Sequence, residues 1–313
     1  MFLFRGGYSL LVRQGYKYRL KPDTRQTQKF GQFAGCCRFA WNKALAIQND
    51  RLVAKEPLLK YVETAKQLTG WRKEPELFFL ADAPTHPLQQ TLRDLDRAFK
   101  DAFDKNQPNK RFPVFKKKGL GDSFRYPDPK QFKLAGNRVF LPKVGWVRFF
   151  KSREILGTPK NVTVSRQGKH WFVSIQTERV IADPVHPSGS MVGIDLGIKR
   201  FAALSTGEFI DPVNSFKCLQ DKLAREQRSL SRKVKFSANW RKQKARITAL
   251  HTKIANVRND FLHKVSTTIS KNHAMIVMED LRIKNMSASA KGTVEQPGKN
   301  VRQKAGLNRS ILD

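Results

Sequence analysis

Apolar and cationic residues alternate through Tyr16-Lys17-Tyr18-Arg19-Leu20-Lys21. A period of two predicts a strand with one face on a core and its cations on the other, where they are either solvated or free to touch phosphate. Residues before Gly15 fit no element and read as an extension over 1–14. The period then changes. Phe30, Phe33, Cys37, Ala40, Trp41, Ala44 and Leu45 recur at helical spacing, as do Leu88, Leu92, Leu95, Phe99 and Ala102. These stripes are faces for a core, and Cys36 and Cys37 sit in the first as small apolar residues. Pro84, His86 and Pro87 mark the start of the second helix. Alternation returns in Arg138–Leu141, Val144–Phe150 and Asn161–Thr177, the last broken by Arg166-Gln167-Gly168-Lys169 as a hairpin turn.

Val180–Ser190 contains Asp183-Pro184 and Pro187-Ser188-Gly189, more Pro and Gly than a helix or central strand tolerates. A domain boundary is expected there. Beyond it, strands are predicted at Met191–Gly197, Phe201–Ser205 and Gly207–Ile210. Two long helices follow over about 214–271, and Ile247, Leu250, Ile254, Val257 and Phe261 give the second the seam of a helical hairpin. A last strand reads Ala274–Leu281, before a polar loop at Asn285–Asn300. The predicted class is a multidomain α+β chain: strands with a helical insertion, then an α/β part.

Charge decides what such a chain can bind. Lys and Arg number 60 against 26 Asp and Glu, a formal net charge of +34. An excess of this size repels itself unless a polyanion neutralises it. Nucleic acid and an acidic membrane surface are both such polyanions; no apolar run approaches the roughly 18–20 residues that cross a bilayer, and no membrane partner is expected. The opening Met1–Val12 is broken by Arg5, Gly6 and Gly7, unlike a secretory leader. Three cysteines cannot frame a disulfide scaffold, and without a C-x-x-C pair no cysteine zinc ribbon is expected in these residues. A reducing cytoplasmic setting fits.

The cations are clustered. Lys116, Lys117 and Lys118 follow Phe112 and Phe115, and Arg125 lies between Phe124 and Tyr126. Interleaved rings and cations favour nucleic-acid contact over a loop whose aromatics merely fill the core. Between Lys217 and Arg258 there are 13 Lys and Arg and only Asp221 and Glu226 as acids. That near-single sign favours a polyanion-facing hairpin over a solvated one. The candidate contacts are Lys17, Arg19, Lys21, Lys116, Lys117, Lys118 and Arg125, then Arg228, Arg232, Lys233, Arg241 and Lys244.

Candidate chemistry lies on two acidic strands. Gly193, Asp195 and Gly197 share a face, as do Met275, Val277 and Glu279. If the strands are neighbours, Asp195 and Glu279 converge, and Mg²⁺ is the usual answer to such a pair. Each carboxylate alone could equally close a turn or cap an element. No G-x-S-x-G or phosphate-binding G-x-x-x-x-G-K-[ST] occurs, and the six histidines are dispersed, so nucleophile and ATP schemes have no handle.

The strand Tyr16–Lys21 with Pro22, then Gly35-Cys36-Cys37-Arg38-Phe39-Ala40-Trp41-Asn42, resembles the start of the OrfB/TnpB proteins of bacterial insertion sequences. Phe112-Pro113-Val114-Phe115-Lys116, Ser123-Phe124-Arg125-Tyr126, Gly193-Ile194-Asp195-Leu196-Gly197 and Glu279-Asp280-Leu281 resemble that family in order and spacing. The similarity runs from about Gly15 onward. It implies a transposase-labelled, RNA-guided DNA endonuclease with guide RNA and DNA as partners and no small-molecule substrate. It implies a wedge-like β-barrel over 15–185 with a helical recognition insertion at about 27–108, and a RuvC-like domain of the ribonuclease-H type over 190–313. By the same resemblance, Asp195 and Glu279 match the first two members of a Mg²⁺-binding acidic triad. The family continues past the position of Leu307–Leu312 into a zinc ribbon and a third aspartate, to which Asp313 does not correspond. The expectation is therefore a C-terminally truncated member with impaired cleavage. A non-catalytic RNA or DNA binder and a structural nucleic-acid protein are the alternatives, and a decaying relic is a further one.

Overall fold

The computed structural model describes residues 9–182 and 185–313. The chain forms two compact units divided between residues 183 and 184. Asp183 and Pro184 of the expected boundary, and residues 1–8 of the expected extension, lie outside the described residues.

The first unit starts with β1 (Ser9–Lys21), where buried Tyr16, Tyr18 and Leu20 alternate with exposed Lys17, Arg19 and Lys21. Ser9–Gln14 are not an extension. They continue the strand, paired with Ala182–Thr177, because a 13-residue partner offers its backbone groups along their whole length. Such pairing needs no side-chain pattern, so the sequence carries no mark of it. Helix α1 (Thr24–Val53) is closed at its start by a reciprocal cap. The Gln26 amide donates to the Asp23 carboxylate at 2.7 Å, and the Asp23 amide donates to Gln26 Oε1 at 3.2 Å. Then come α2 (Tyr61–Trp71), the short α3 (Phe79–Asp82) and α4 (Thr85–Phe103).

Strands β2 (Ser123–Tyr126), β3 (Lys133–Ala135), β4 (Arg138–Leu141), β5 (Gly145–Phe149), β6 (Thr158–Gln167) and β7 (His170–Ala182) complete the unit. The seven strands lie in the order β2-β6-β7-β1-β5-β4-β3, every pair antiparallel. Strand β1 bends from one half to the other: Ser9–Arg19 pair with β7, and Leu20 and Lys21 pair with β5. A closed barrel was expected. Among the described residues the pairing is open, and the terminal strands β2 and β3 are only four and three residues long. The predicted β6–β7 hairpin turns at Gly168, whose φ of +58° suits the first position of a two-residue loop.

The core of this unit lies between one sheet face and the helices. Fully buried Phe30 of α1 packs its ring 5.8 Å from Phe124 of β2 and 5.3 Å from Trp171 of β7. The 112–126 segment joins the same core in part. Phe124 and Tyr126 are buried and cannot stack on bases, which corrects the expectation for that pair. Two aromatics spaced by two on a strand point the same way, and here that way is inward.

The second unit contains β8 (Met191–Leu196), β9 (Ala202–Leu204), β10 (Phe209–Ile210), α5 (Gln220–Ser231), α6 (Ala238–Asn272), β11 (Met275–Met278), α7 (Ile283–Met286) and α8 (Val301–Leu312). Its sheet has the order β10-β9-β8-β11, with β8 and β11 parallel. A parallel pair requires a long crossover, which the α5–α6 hairpin supplies. Buried Gln243 of α6 clasps α5 by donating to the Glu226 carbonyl at 2.9 Å. Val192, Leu204 and Ile269 form a small core with Ile194, Ile210 and Val265, so α6 covers one face of the sheet. No described helix is long and apolar enough to cross a membrane.

Truncating Phe30 to Ala should destabilise the first unit by about 3–5 kcal/mol, because three elements meet on its ring. Leu10→Ala, at a half-exposed position, should stay within about 0.5 kcal/mol. Urea denaturation followed by tryptophan fluorescence checks both.

Candidate functional site

Strands β8 and β11 run side by side with Val277 opposite Gly193 and Met278 opposite Ile194. Continuing that register by one step sets Glu279 against Asp195, both at the carboxyl ends of their strands and both on the face that α6 leaves open. The convergence that the sequence made conditional on neighbouring strands is therefore met. Both residues are exposed. A shallow groove joins them, floored by Gly193, Ala203, Ser205 and Val277. Small residues at 193 and 203 leave the face open to a bulky group.

Ser205 orders this floor. Its hydroxyl accepts the Gly193 N–H at 2.9 Å, and its own N–H donates to the Gly193 carbonyl at 2.9 Å. Strand propensity gave no signal for this role, which depends on β8–β9 pairing. Gly197 serves the chain turn: a Cβ there would lie 3.0 Å from the Arg200 carbonyl oxygen. Among the described residues no group of three or more His, Cys, Asp or Glu side chains could hold a metal. Two carboxylates fit a single Mg²⁺, which keeps several waters and takes one or two protein carboxylates together with phosphate oxygens.

Asp313 is engaged elsewhere. Its carboxylate accepts the Ser215 hydroxyl at 2.9 Å and the Phe216 and Lys217 amides at 2.7 and 3.0 Å, and it pairs with Arg258 at 3.1 Å. Burial pushes its pKa up, but these hydrogen bonds outweigh burial and leave it below the ordinary carboxylate value. The residue fastens the end of α8 to the start of the α5 region and to α6.

The predicted cationic contacts divide by environment. Lys17, Arg19 and Lys21 project from the exposed side of β1, with Lys17 4.9 Å from the Phe172 ring and Arg19 4.4 Å from the Phe150 ring. Lys116 sits 3.7 Å over Trp41, and lost hydration there draws its pKa below that of a free lysine. Its backbone is held at both ends by the Asn42 side chain. Phe112 packs edge-on against Phe103 at 5.0 Å. That stretch is thus fixed to the helices, while Lys117 and Lys118 are exposed. Arg125 is half-buried, and its Nε has no hydrogen-bond partner. On the hairpin, Arg228, Arg232, Arg241 and Lys244 are exposed, Lys233 is half-buried, and Lys244 lies 5.0 Å from the Trp240 ring. Burial raises the Cys36 and Cys37 pKa to about 11 and about 12, so neither offers a thiolate near neutrality.

Comparison with known proteins settles the family. The model described as "Probable transposase" matches residues 166–290, and one described as "Helix-turn-helix domain" matches residues 12–56. The chain is 53% identical over 300 residues to the "Putative RNA-guided DNA endonuclease InsQ" of Escherichia coli, covering 96% of this chain and 74% of that protein. The chain belongs to the OrfB/TnpB family of insertion-sequence proteins. A second relative, the "Putative RNA-guided DNA endonuclease" of Streptomyces pristinaespiralis, is 33% identical over 284 residues, 90% of this chain and 70% of the relative. A solved structure titled as a Cas12f1–sgRNA–target DNA complex aligns with a TM-score of 0.49 at 11% identity, covering 96% of this chain and 88% of that one. In this OrfB/TnpB chain, the segment matched as helix-turn-helix is β1 followed by one unbroken 30-residue helix.

Asp313→Asn should destabilise the second unit by about 1–3 kcal/mol, through lost charge-assisted hydrogen bonds. A depressed folded-state pKa means that the carboxylate's contribution is present above the unfolded pKa and lost as pH falls through the folded one. The gap between parent and variant should therefore shrink on acidification, as thermal melts of the full chain at neutral and acid pH would show.

Proposed function

We propose that this OrfB/TnpB chain binds a guide RNA and DNA, and that Asp195 and Glu279 form the metal-binding end of a RuvC-like nuclease site. One observation carries the proposal. The parallel β8–β11 register brings both carboxylates to one open sheet end, though 83 residues separate Asp195 from Glu279. A chance pair of caps would have no reason to share a face and an end. The name shared by the E. coli and Streptomyces relatives supports the same activity class, and the +34 charge supports a polyanionic partner. On this proposal the strands of the first unit are the wedge-like domain and α1–α4 are its recognition insertion.

Mg²⁺ bound there would act as a Lewis acid on a phosphodiester oxygen. Asp195 and Glu279 would hold the ion and orient its waters, and the open floor at Gly193 and Ala203 would admit a nucleic-acid backbone. Exposed cations on the hairpin and on β1 would bind phosphates. A site for two ions calls for more oxygen ligands than two carboxylates supply, and Asp313 is committed to Ser215, Phe216, Lys217 and Arg258. We therefore expect this chain to bind nucleic acid firmly and to cut it slowly.

Two measurements test this. RNA that copurifies with the chain, once sequenced, should be dominated by one species; a random sample of cellular RNA would count against a guide. Cleavage of matched DNA by that complex should be weak with Mg²⁺ and disappear in Asp195→Ala, while RNA retention is unchanged. Rapid Mg²⁺-dependent cutting by the parent would overturn the expected impairment, and cutting that survives Asp195→Ala would overturn the site.

A further inference from the structure

The outer face of the seven-stranded sheet carries an arrangement that folding alone does not explain. Lys21 of β1 stands directly opposite Arg148 of β5, and Arg148 directly opposite Arg138 of β4. Three cations thus occupy one row across three strands, all of them exposed. Like charges directly opposite each other destabilise a sheet. None of the three forms an ion pair among the described residues. The row costs the free protein stability, and an external anion would relieve it.

Aromatic rings flank the row on the same face. Phe150 is 49% exposed and lies 4.4 Å from the Arg19 guanidinium, while Trp146 is 43% exposed and packs edge-on to Phe140 at 5.6 Å. A core would have buried both, since the neighbouring Val147 and Phe149 are buried. An acidic peptide would satisfy the cations but has no use for the rings. A nucleic-acid duplex would present phosphates and keep its bases stacked inside. An unpaired strand offers phosphate and base faces together.

We propose that this face binds an unpaired nucleic-acid strand, with phosphates along Lys21, Arg148 and Arg138 and bases stacked at Phe150 and Trp146. The proposal rests on reading the chain as a nucleic-acid binder and goes further in assigning the strand form and the residues. Arg138, Arg148, Trp146 and Phe150 gave no charge run in the sequence, because the row assembles only across strands.

The test uses the full chain stripped of copurified nucleic acid, with fluorescence anisotropy on labelled 15-mers of oligouridine RNA, oligothymidine DNA and a mixed-sequence DNA duplex. The Arg138→Gln/Arg148→Gln variant should bind the single strands roughly tenfold more weakly, with a salt slope shallower by about one. The Trp146→Ala/Phe150→Ala variant should lose roughly tenfold on the single strands and less than twofold on the duplex. Without nucleic acid, the Arg double variant should melt no lower than the parent, as relief of like-charge repulsion requires. Tighter binding of oligouridine would assign the face to RNA, and tighter binding of oligothymidine to DNA. Single-strand affinity within twofold of the parent in either variant would overturn the proposal. So would equal losses on duplex and single strand in the aromatic variant, or a lower melting temperature in the Arg variant. If RNA copurifies as a single species and these variants bind normally, only this face proposal falls. If no defined RNA copurifies, the guide reading falls while the oligonucleotide measurements still decide the face.

Discussion

A slip of one residue along β1 would drive Lys17, Arg19 and Lys21 into the core and put Tyr16, Tyr18 and Leu20 into water. That alternation constrains the whole first unit, because β1 alone joins the two halves of its sheet. The register is held by side chains as well as by backbone pairing. The Tyr18 hydroxyl donates to the Arg153 carbonyl at 2.9 Å, and the Arg153 guanidinium lies within 6 Å of both tyrosine rings, at 5.4 and 5.8 Å. Burial pushes the Tyr18 pKa up, so the phenol stays protonated and able to donate. With the inner face fixed this way, the cations of β1 are fixed outward. They meet Phe172, Phe150 and Arg148 by register and not by accident of side-chain flexibility.

The second unit has a weaker version of the same logic. Its core is small, and all four side chains of β11 are exposed. What it does fix is the relative position of β8 and β11, since parallel pairing specifies which strand ends coincide. The two carboxylates are therefore placed by backbone register, while the residues around them remain accessible. Large clefts and buried ion pairs are not needed to bring them together. Exposure also leaves both side chains within reach of solvent.

How much of this was legible in the chain depended on whether a signal was local. Helical spacing from Phe30 to Leu45 announced α1, and the apolar alternation about Gly168 announced the β6–β7 hairpin, because both patterns lie within one element. Asp195 and Glu279 could be suspected from their strands, but their meeting required knowing that β8 and β11 are neighbours. The same limit hid Ser205 and the row formed by Arg138 and Arg148, since both arrangements arise across strands. Phe124 and Tyr126 were misjudged for a related reason: rings beside a cation look alike in sequence whether they face a base or Phe30 and Phe33. Ser9–Gln14 were missed because backbone pairing to β7 recruited residues without a pattern of their own.

Three carboxylates in the second unit show why net charge cannot stand in for chemistry. Asp313 is nearly buried and surrounded by donors, so its energy goes into fastening α8. The Asp195 and Glu279 carboxylates accept no hydrogen bond and form no ion pair among the described residues. Both are exposed and left to solvent, which is the condition on which the proposed metal site depends, and which the nearly buried, fully engaged Asp313 does not meet.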